Sequence, residues 1–309
     1  MAGIITITLN PAIDKNYAVE RLAPEHKLRC ANPRIDPGGG GINVSKALKE
    51  LGTESLAVFF SGGRNGDYLQ DLLNELSLNI HPIKIDGETR ESVVIVDQSS
   101  GKEYRIVVEG PEIGLTSLDE LLQQIKTNNP SYVIASGSIP KGLPEDSFAR
   151  IAKVAKQSGA RFIADTSGEP LRNAVKEGVF LLKPNLKELS GLCGAESLQL
   201  EDVDDAAMEL IRKGKCEVVV VSLSSSGAMV VTADGYHHIP APTVERKSTV
   251  GAGDSMVAGM VWSLTQGKSY MEMAMMGVAC GTAATMSPGT QLFRKADAEK
   301  LLQWILRRK

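Results

Sequence analysis

The chain is poor in aromatic residues, which make up 5% of its 309 positions. It has four cysteines, Cys30, Cys193, Cys216 and Cys280, and no two are close in sequence. That scatter excludes a paired-cysteine zinc site or a disulfide framework and predicts small buried thiols in a reducing compartment. One-sided charge is also missing. With 34 Lys+Arg against 37 Asp+Glu the formal net charge is −3, so no long-range basic field recruits nucleic acid or an anionic membrane. An anionic small substrate would have to rely on local basic residues. No apolar run approaches a membrane span, and the first residues, Met-Ala-Gly-Ile-Ile-Thr-Ile-Thr-Leu-Asn10, lack the charged and apolar regions of a signal peptide. A cytoplasmic protein with no membrane or nucleic-acid partner is expected. His237 and His238 are adjacent, and neighbours on a strand point to opposite faces, so they are read as surface residues of a hairpin.

What the chain does have is order of a particular kind. Ile4–Leu9 reads as a strand ending at Asn10-Pro11, with Asp14 just beyond it. Residues 15–36 alternate loosely without helical period. Pro37-Gly-Gly-Gly-Gly41 then opens an amphipathic helix over 42–51. A buried strand over 55–61 and a helix over 66–76 follow. Ser92–Val96 and Glu103–Val108 read as a second extended pair joined by the turn sequence Ser99-Ser-Gly-Lys102. From residue 116 helices alternate with solid Val/Ile/Leu strands at 132–136, 161–165, 179–183 and 218–222. That alternation implies a mainly parallel central sheet covered by helices on both faces. A hairpin turning at Ala233-Asp-Gly235 and helices over 253–266, 270–286 and 295–307 complete the chain. With no repeat or linker, residues 1–309 are read as one α/β domain. Segments 15–36 and 90–108 form a small β lid inserted in it.

Ligands of an open parallel sheet bind beyond the carboxyl ends of its strands, and unusual residues gather at those ends: Asp14, Ser136-Gly-Ser-Ile-Pro140, Asp165-Thr-Ser-Gly168, Lys183-Pro-Asn-Leu-Lys-Glu188 and Ser222-Leu-Ser-Ser-Ser-Gly227. Lys247-Ser-Thr-Val-Gly-Ala-Gly-Asp-Ser255 adds a glycine-rich turn running into an apolar helix. Bare N–H groups at such a start suit phosphate oxygens. Asp254 is then either a base taking a proton from a hydroxyl beside that site, or a first-turn residue stabilising the helix dipole. Asn185 and Glu188 are either an N-cap with its N3 acid or an oxygen pair near hydrated magnesium. Arg90, Arg105 and Lys27 are either solvated lid charges or cations for a sugar phosphate. Rival nucleotide motifs fail. A Walker A loop before Gly267-Lys-Ser269 would need glycine where Trp262 stands, the glycine run leads into Val44 rather than completing a dinucleotide fingerprint, and protein-kinase signatures are absent.

Pro37-Gly-Gly-Gly-Gly-Ile-Asn-Val44, Lys183-Pro-Asn-x-Lys-Glu188 and Ser248-Thr-Val-Gly-Ala-Gly-Asp-Ser255, in this order, resemble the ribokinase-like (PfkB) sugar kinase family over nearly the whole chain. Within it the chain is most similar to the branch that phosphorylates fructose 6-phosphate at C1. Fructose-1-phosphate and tagatose-6-phosphate kinases usually carry Lys at the position of Gly40. The resemblance implies ATP and Mg2+ as cofactors and sugar contacts from Asp14, Gly39, Gly40 and Asn43. Arg90 and Ser138 would hold the sugar phosphate, with Arg105 and Lys27 as further candidates. Asp254 would be the base, and Gly251, Ala252 and Gly253 the anion hole. Lys183, Asn185, Lys187, Ser222, Ser224, Gly227 and Ser248 would lie along the nucleotide, with adenine near Gly281, and Glu188 and Asn185 would position magnesium through water. Relatives commonly have Gly at Ser224, and some have an aromatic residue at Ala23 linked to inhibition by ATP. A homodimer joined through the lid is expected, with Lys27 reaching the neighbouring subunit. An apolar lid face of Val19, Ile35, Val94, Val96 and Ile106 motivates it.

Overall fold

A computed structural model of the chain describes residues 3–30 and 33–308. In chain order the strands are β1 (Ile4–Thr8), β2 (Ala12–Val19), β3 (Arg34–Gly38), β4 (Leu56–Ser61), β5 (Asn79–Lys84), β6 (Arg90–Asp97) and β7 (Lys102–Val107). They continue with β8 (Tyr132–Ser136), β9 (Arg161–Asp165), β10 (Leu181–Leu182), β11 (Val218–Ser222), β12 (Ala228–Thr232) and β13 (Gly235–Ile239). The helices are α1 (Gly40–Glu50), α2 (Gly63–Glu75), α3 (Leu115–Asn128), α4 (Ser147–Gln157), α5 (Gly168–Glu177), α6 (Leu186–Leu192), α7 (Val203–Arg212), α8 (Ala252–Thr265), α9 (Tyr270–Thr285) and α10 (Lys295–Leu306).

A nine-stranded sheet runs β13-β12-β11-β10-β9-β8-β1-β4-β5. It is parallel from β11 to β5, with the β12–β13 hairpin antiparallel at one edge. Alternate residues of each strand enter two cores. Ile5, Ile7, Val133, Ala135 and Val219 pack with α3, α4, α5 and α7, while Ile4, Ile134, Ile163, Leu181 and Val220 pack with α1, α8, α9 and α10. Burial on both faces explains why these strands read as unbroken apolar runs.

Two elements differ from the sequence-based expectation. β5 is an extra strand. Its Pro82 argues against a strand, but β5 is an edge, where a missing N–H is tolerated. β10 has two residues where five were expected, although the chain on either side still bonds its neighbours, Phe180 N donating to Phe162 O and Pro184 O accepting from Ser222 N. Cys193 is exposed rather than buried, whereas Cys216 and Cys280 are buried as expected.

The lid is a four-stranded sheet, β3-β2-β6-β7. Its outer pairs are antiparallel and the central β2–β6 pair is parallel. The register corrects the expected apolar face. Val19, Ile35 and Ile106 share one side, with Val93 and Ile95. Val94 and Val96 lie on the other, the side of Asp14, Asn16, Asp36 and Arg34. A period of two assigns sides only once strands are paired, and the pairing was not visible in the sequence.

Candidate active site

The rim at the carboxyl ends of β1, β8, β9, β10 and β11 faces the lid, and α1 and α8 begin there. α8 is apolar nearly all round and buried in the core, so its first turn is fixed rather than frayed. Gly251, its N-cap, has a left-handed backbone with φ 71°, which glycine adopts without a Cβ penalty.

Asp254 sits in that first turn. Asn43 Nδ2 donates to its Oδ2 at 3.0 Å and Ser136 Oγ donates to its Oδ1 at 3.1 Å. Burial, reinforced by the charge of Asp165, pushes its carboxyl up to about 6 against the pull of Asn43, Ser136 and Lys183. Near neutrality it is therefore ionised yet basic enough to accept a proton, as a general base requires. Lys183, 7% exposed, lies 3.3 Å from Asp165 Oδ1. Burial pulls its ammonium down, but Asp165, Glu188 and Asp254 outweigh this and raise it. A Cβ on Gly253 would lie 3.5 Å from Lys183 Nζ, so this fixed cation stands beside the first turn of α8.

Asp14, on β2, is also raised to about 6, first by burial and then by Asp36, against Lys46 and Arg90. A Cβ on Gly38 would overlap its carboxylate, and one on Gly40 would overlap Ser136 Oγ. With Gly at 40, the space a side chain would need is taken by the serine that bonds Asp254. Gly39 is the N-cap of α1 and carries a positive φ of 119°.

Arg90 opens β6 and turns back to the end of β1. Its Nη2 and Nε donate to Asn10 O at 3.0 and 3.3 Å, and Asn10 Nδ2 donates to Ser138 Oγ at 3.1 Å. Burial lowers the Arg90 pKa, and Asp14 opposes it. Arg90 and Ser138 are thus brought together. Arg105 is not with them: it stands on the outer strand, paired with Glu103 Oε2 at 3.2 Å. Lys27 is exposed in the β2–β3 connection.

On the other arm of the rim, Asn185 caps α6 in a capping box. Glu188 N donates to Asn185 Oδ1 and Asn185 N to Glu188 Oε2, both at 2.9 Å. The box bears out the N-cap reading of this pair, and it holds Glu188 where its charge helps raise the Lys183 ammonium. Asn185 bridges to Ser222, bringing the β11 end alongside. Ser224 has φ 54°, a left-handed backbone that costs a non-glycine residue about 1–2 kcal/mol. Gly227 also has a positive φ, 97°, and a Cβ there would strike Ile239 O. Lys187 is exposed. Ser248 is buried and its Oγ accepts from Val250 N at 3.2 Å, shaping the turn before Gly251. Gly281 lets α9 approach Ala252 O and Met256 at the start of α8.

Ser136 and Asp165 stand on the rim where the sequence places them, at the ends of apolar strands, though it assigns no role to either. Other residues are missed. Lys46, Asp36, Asn16 and Thr290 carry no signal, because only the lid register and the α9–α10 loop bring them together. Arg34 clamps Asp36 at 2.6 and 2.8 Å. Thr290 Oγ1 donates to Asp36 Oδ2 at 2.5 Å and accepts from Asn16 Nδ2 at 3.0 Å.

A raised carboxyl beside a helix-start anion site, with a buried cation next to it and a lid above, is the arrangement of a small-molecule kinase. The chain belongs to the pfkB family of carbohydrate kinases, whose model matches residues 3–297. It is 38% identical over 302 residues to ATP-dependent 6-phosphofructokinase isozyme 2 of Mycobacterium tuberculosis, covering 97% of this chain and 89% of that one. To the Escherichia coli protein of the same name it is 37% identical over 309 residues, covering 99% and 100%. The crystal structure of Escherichia coli phosphofructokinase-2 in complex with fructose-6-phosphate superposes with a TM-score of 0.93, at 36% identity over 99% of this chain and 100% of that chain.

Proposed function

We infer that this chain is an ATP-dependent 6-phosphofructokinase, moving the γ-phosphoryl group of ATP to the C1 hydroxyl of fructose 6-phosphate. The observation that carries the reading is the Asp254 carboxylate, held by Asn43 and Ser136 within the first turn of α8 and raised to about 6. Asp254 takes the C1 hydroxyl proton as the oxygen attacks. The N–H groups of Gly251, Ala252 and Gly253 receive charge developing on the phosphoryl oxygens, and Lys183 adds a buried positive charge beside them. Asp14, Gly39, Gly40 and Asn43 orient the sugar, and Arg90 with Ser138 holds its phosphate. Ser222, Ser224 and Gly227 line the nucleotide path.

Asn185 and Glu188 offer oxygen donors only. Two such donors suit Mg2+ that keeps its water shell and rides on the phosphates rather than a protein cage. When bound, the ion supplies charge neutralisation on the transferring group. A cytoplasmic location belongs to the same reading, since both substrates are cytosolic metabolites. We also propose a homodimer joined through the lid.

ADP release measured across fructose 6-phosphate, fructose 1-phosphate, tagatose 6-phosphate and unphosphorylated sugars tests the reading. Fructose 6-phosphate is expected to give the highest kcat/KM. Preference for fructose 1-phosphate or tagatose 6-phosphate would move the chain to a neighbouring branch, and no turnover with any sugar would make it a binding protein.

A further inference from the structure

We infer that Lys46 is a positioning residue for the base: its ammonium fixes the Asn43 amide in the one orientation that can donate to Asp254. The inference rests on the reading of Asp254 as the base.

Lys46 follows Asn43 by three residues on α1, so the two side chains share a face. A lysine there could extend to solvent, but this one turns inward. Its Nζ donates to Pro37 O at 3.1 Å and to Asn43 Oδ1 at 3.4 Å. Asn43 is 8% exposed, and an amide has one accepting and one donating end. With Oδ1 against the ammonium, Nδ2 is left to donate to Asp254 Oδ2 at 3.0 Å. The flipped amide would set N–H groups against an ammonium and a carbonyl against a carboxylate, both repulsive. Lys46 thus settles a choice that the amide alone leaves open.

The surrounding charges decide where the ammonium acts. From the lid, Asp14, Asp36, Arg34 and Arg90 face this region; from the rim come Asp165, Lys183 and, beyond it, Glu188. Arg34 and Thr290 already satisfy Asp36, and Lys183 is paired with Asp165. Of the carboxylates, Asp36 and Asp14 act on the Lys46 ammonium more than Asp254 does, so Lys46 reaches Asp254 through the Asn43 amide rather than by direct charge. Burial draws its own pKa down, and Asp36, Asp14 and Asp254 oppose this.

Single-turnover rates with fructose 6-phosphate against pH, for the full chain and for Lys46→Met, Lys46→Gln and Lys46→Arg, test the proposal. Without the ammonium the Asn43 amide is free to flip. Losing its hydrogen bond, which lowers the Asp254 pKa, should move the acid limb up by about one pH unit and slow the reaction several-fold at neutral pH, with the KM for ATP unchanged. Lys46→Arg should restore the limb. Titration of the sugar phosphate itself is common to all variants and cancels in the comparison. Thermal melting checks folding, and if Lys46→Met fails to fold, Lys46→Gln, uncharged and one atom too short to reach Asn43 Oδ1 from the same path, carries the same expectation. Limbs that coincide in wild type and the charge-removed variants, with Asp254→Asn inactive, would overturn the role of Lys46 alone. Asp254→Asn retaining turnover would overturn the base and this inference together.

Discussion

Asp254 shows how function costs stability at a single residue. Its ordinary pKa of 3.8 is raised to about 6 in the fold, so the native state binds the proton more tightly than the unfolded chain does. Stability from this group is therefore present below pH 4 and is lost as pH rises through 6. Asp254→Asn should abolish turnover by at least about 10²-fold with ATP binding retained in calorimetry. It should also raise the melting temperature at neutral pH, since the new amide can accept from Asn43 and donate to Ser136, whose hydroxyl rotates. Near-normal turnover would reduce Asp254 to a helix-dipole residue. In the wild type the same pKa predicts a rate that climbs between pH 5 and 7. Arg90 yields a second expectation. Arg90→Ala should raise the KM for fructose 6-phosphate by roughly ten- to a hundred-fold, from a charge-assisted contact of about 1.5–3 kcal/mol, and leave that for ATP nearly unchanged. Because Arg90 also ties Asn10 O, an equal rise in both constants would mean that its work is to hold the β1–β2 turn.

At the scale of elements, the lid is fastened to the body at its far side by the loop between α9 and α10. Asn16 on β2 and Asp36 on β3 both converge on Thr290. In the same loop Leu292 packs on Gly251, where an added Cβ would lie 2.6 Å from its Cδ2. One short loop therefore touches both the lid and the start of the anion hole. Thr290→Val keeps the shape but removes both hydrogen bonds, leaving Asn16 and Asp36 short of a partner at about 1–3 kcal/mol. The expected result is faster amide exchange in residues 12–19 and 34–38 and a rise of about tenfold in the KM for the sugar phosphate. Unchanged exchange in those strands would show that the lid is held by its own register and by Ile13, which packs with Phe59 and Leu69 in the body.

For the whole molecule, the unresolved burial lies on the lid's outer strand. Every residue of β7 is exposed. Tyr104, Ile106, Val107 and Val108 are 42%, 54%, 61% and 50% exposed, and Leu28 in the β2–β3 connection is 37% exposed. An exposed edge strand is a template for pairing with another chain, and on β7 the exposed Tyr104 and Ile106 share one face. In the homodimer proposed above, a second lid packed there would cover both copies and leave each cleft free to open. If that proposal holds, the ligand-free protein sediments as a dimer, and Ile106→Glu should convert it to monomer and leave the α/β body folded. A wild type that sediments as a fully active monomer would remove this account of the lid.

Much of this protein is written locally. Val218–Ser222 or Tyr132–Ser136 can only be buried strands, and their alternation with helices fixes a parallel sheet and hence a rim where ligands bind. The glycines at 38–41 and 251–253 mark close backbone approaches, and Asp254 is conspicuous because a carboxylate at a phosphate-binding helix start needs a chemical reason. Position in the sequence told where these groups lie but not what surrounds them. Whether Val94 faces in or out depends on β2 pairing parallel with β6, a contact between segments about eighty residues apart. The charges on Asp14 and Asp254 depend on burial and on Lys46, Asp165 and Lys183, which arrive from other elements. Pairing register and electrostatic environment are sums over neighbours in space, so only the folded structure decides them.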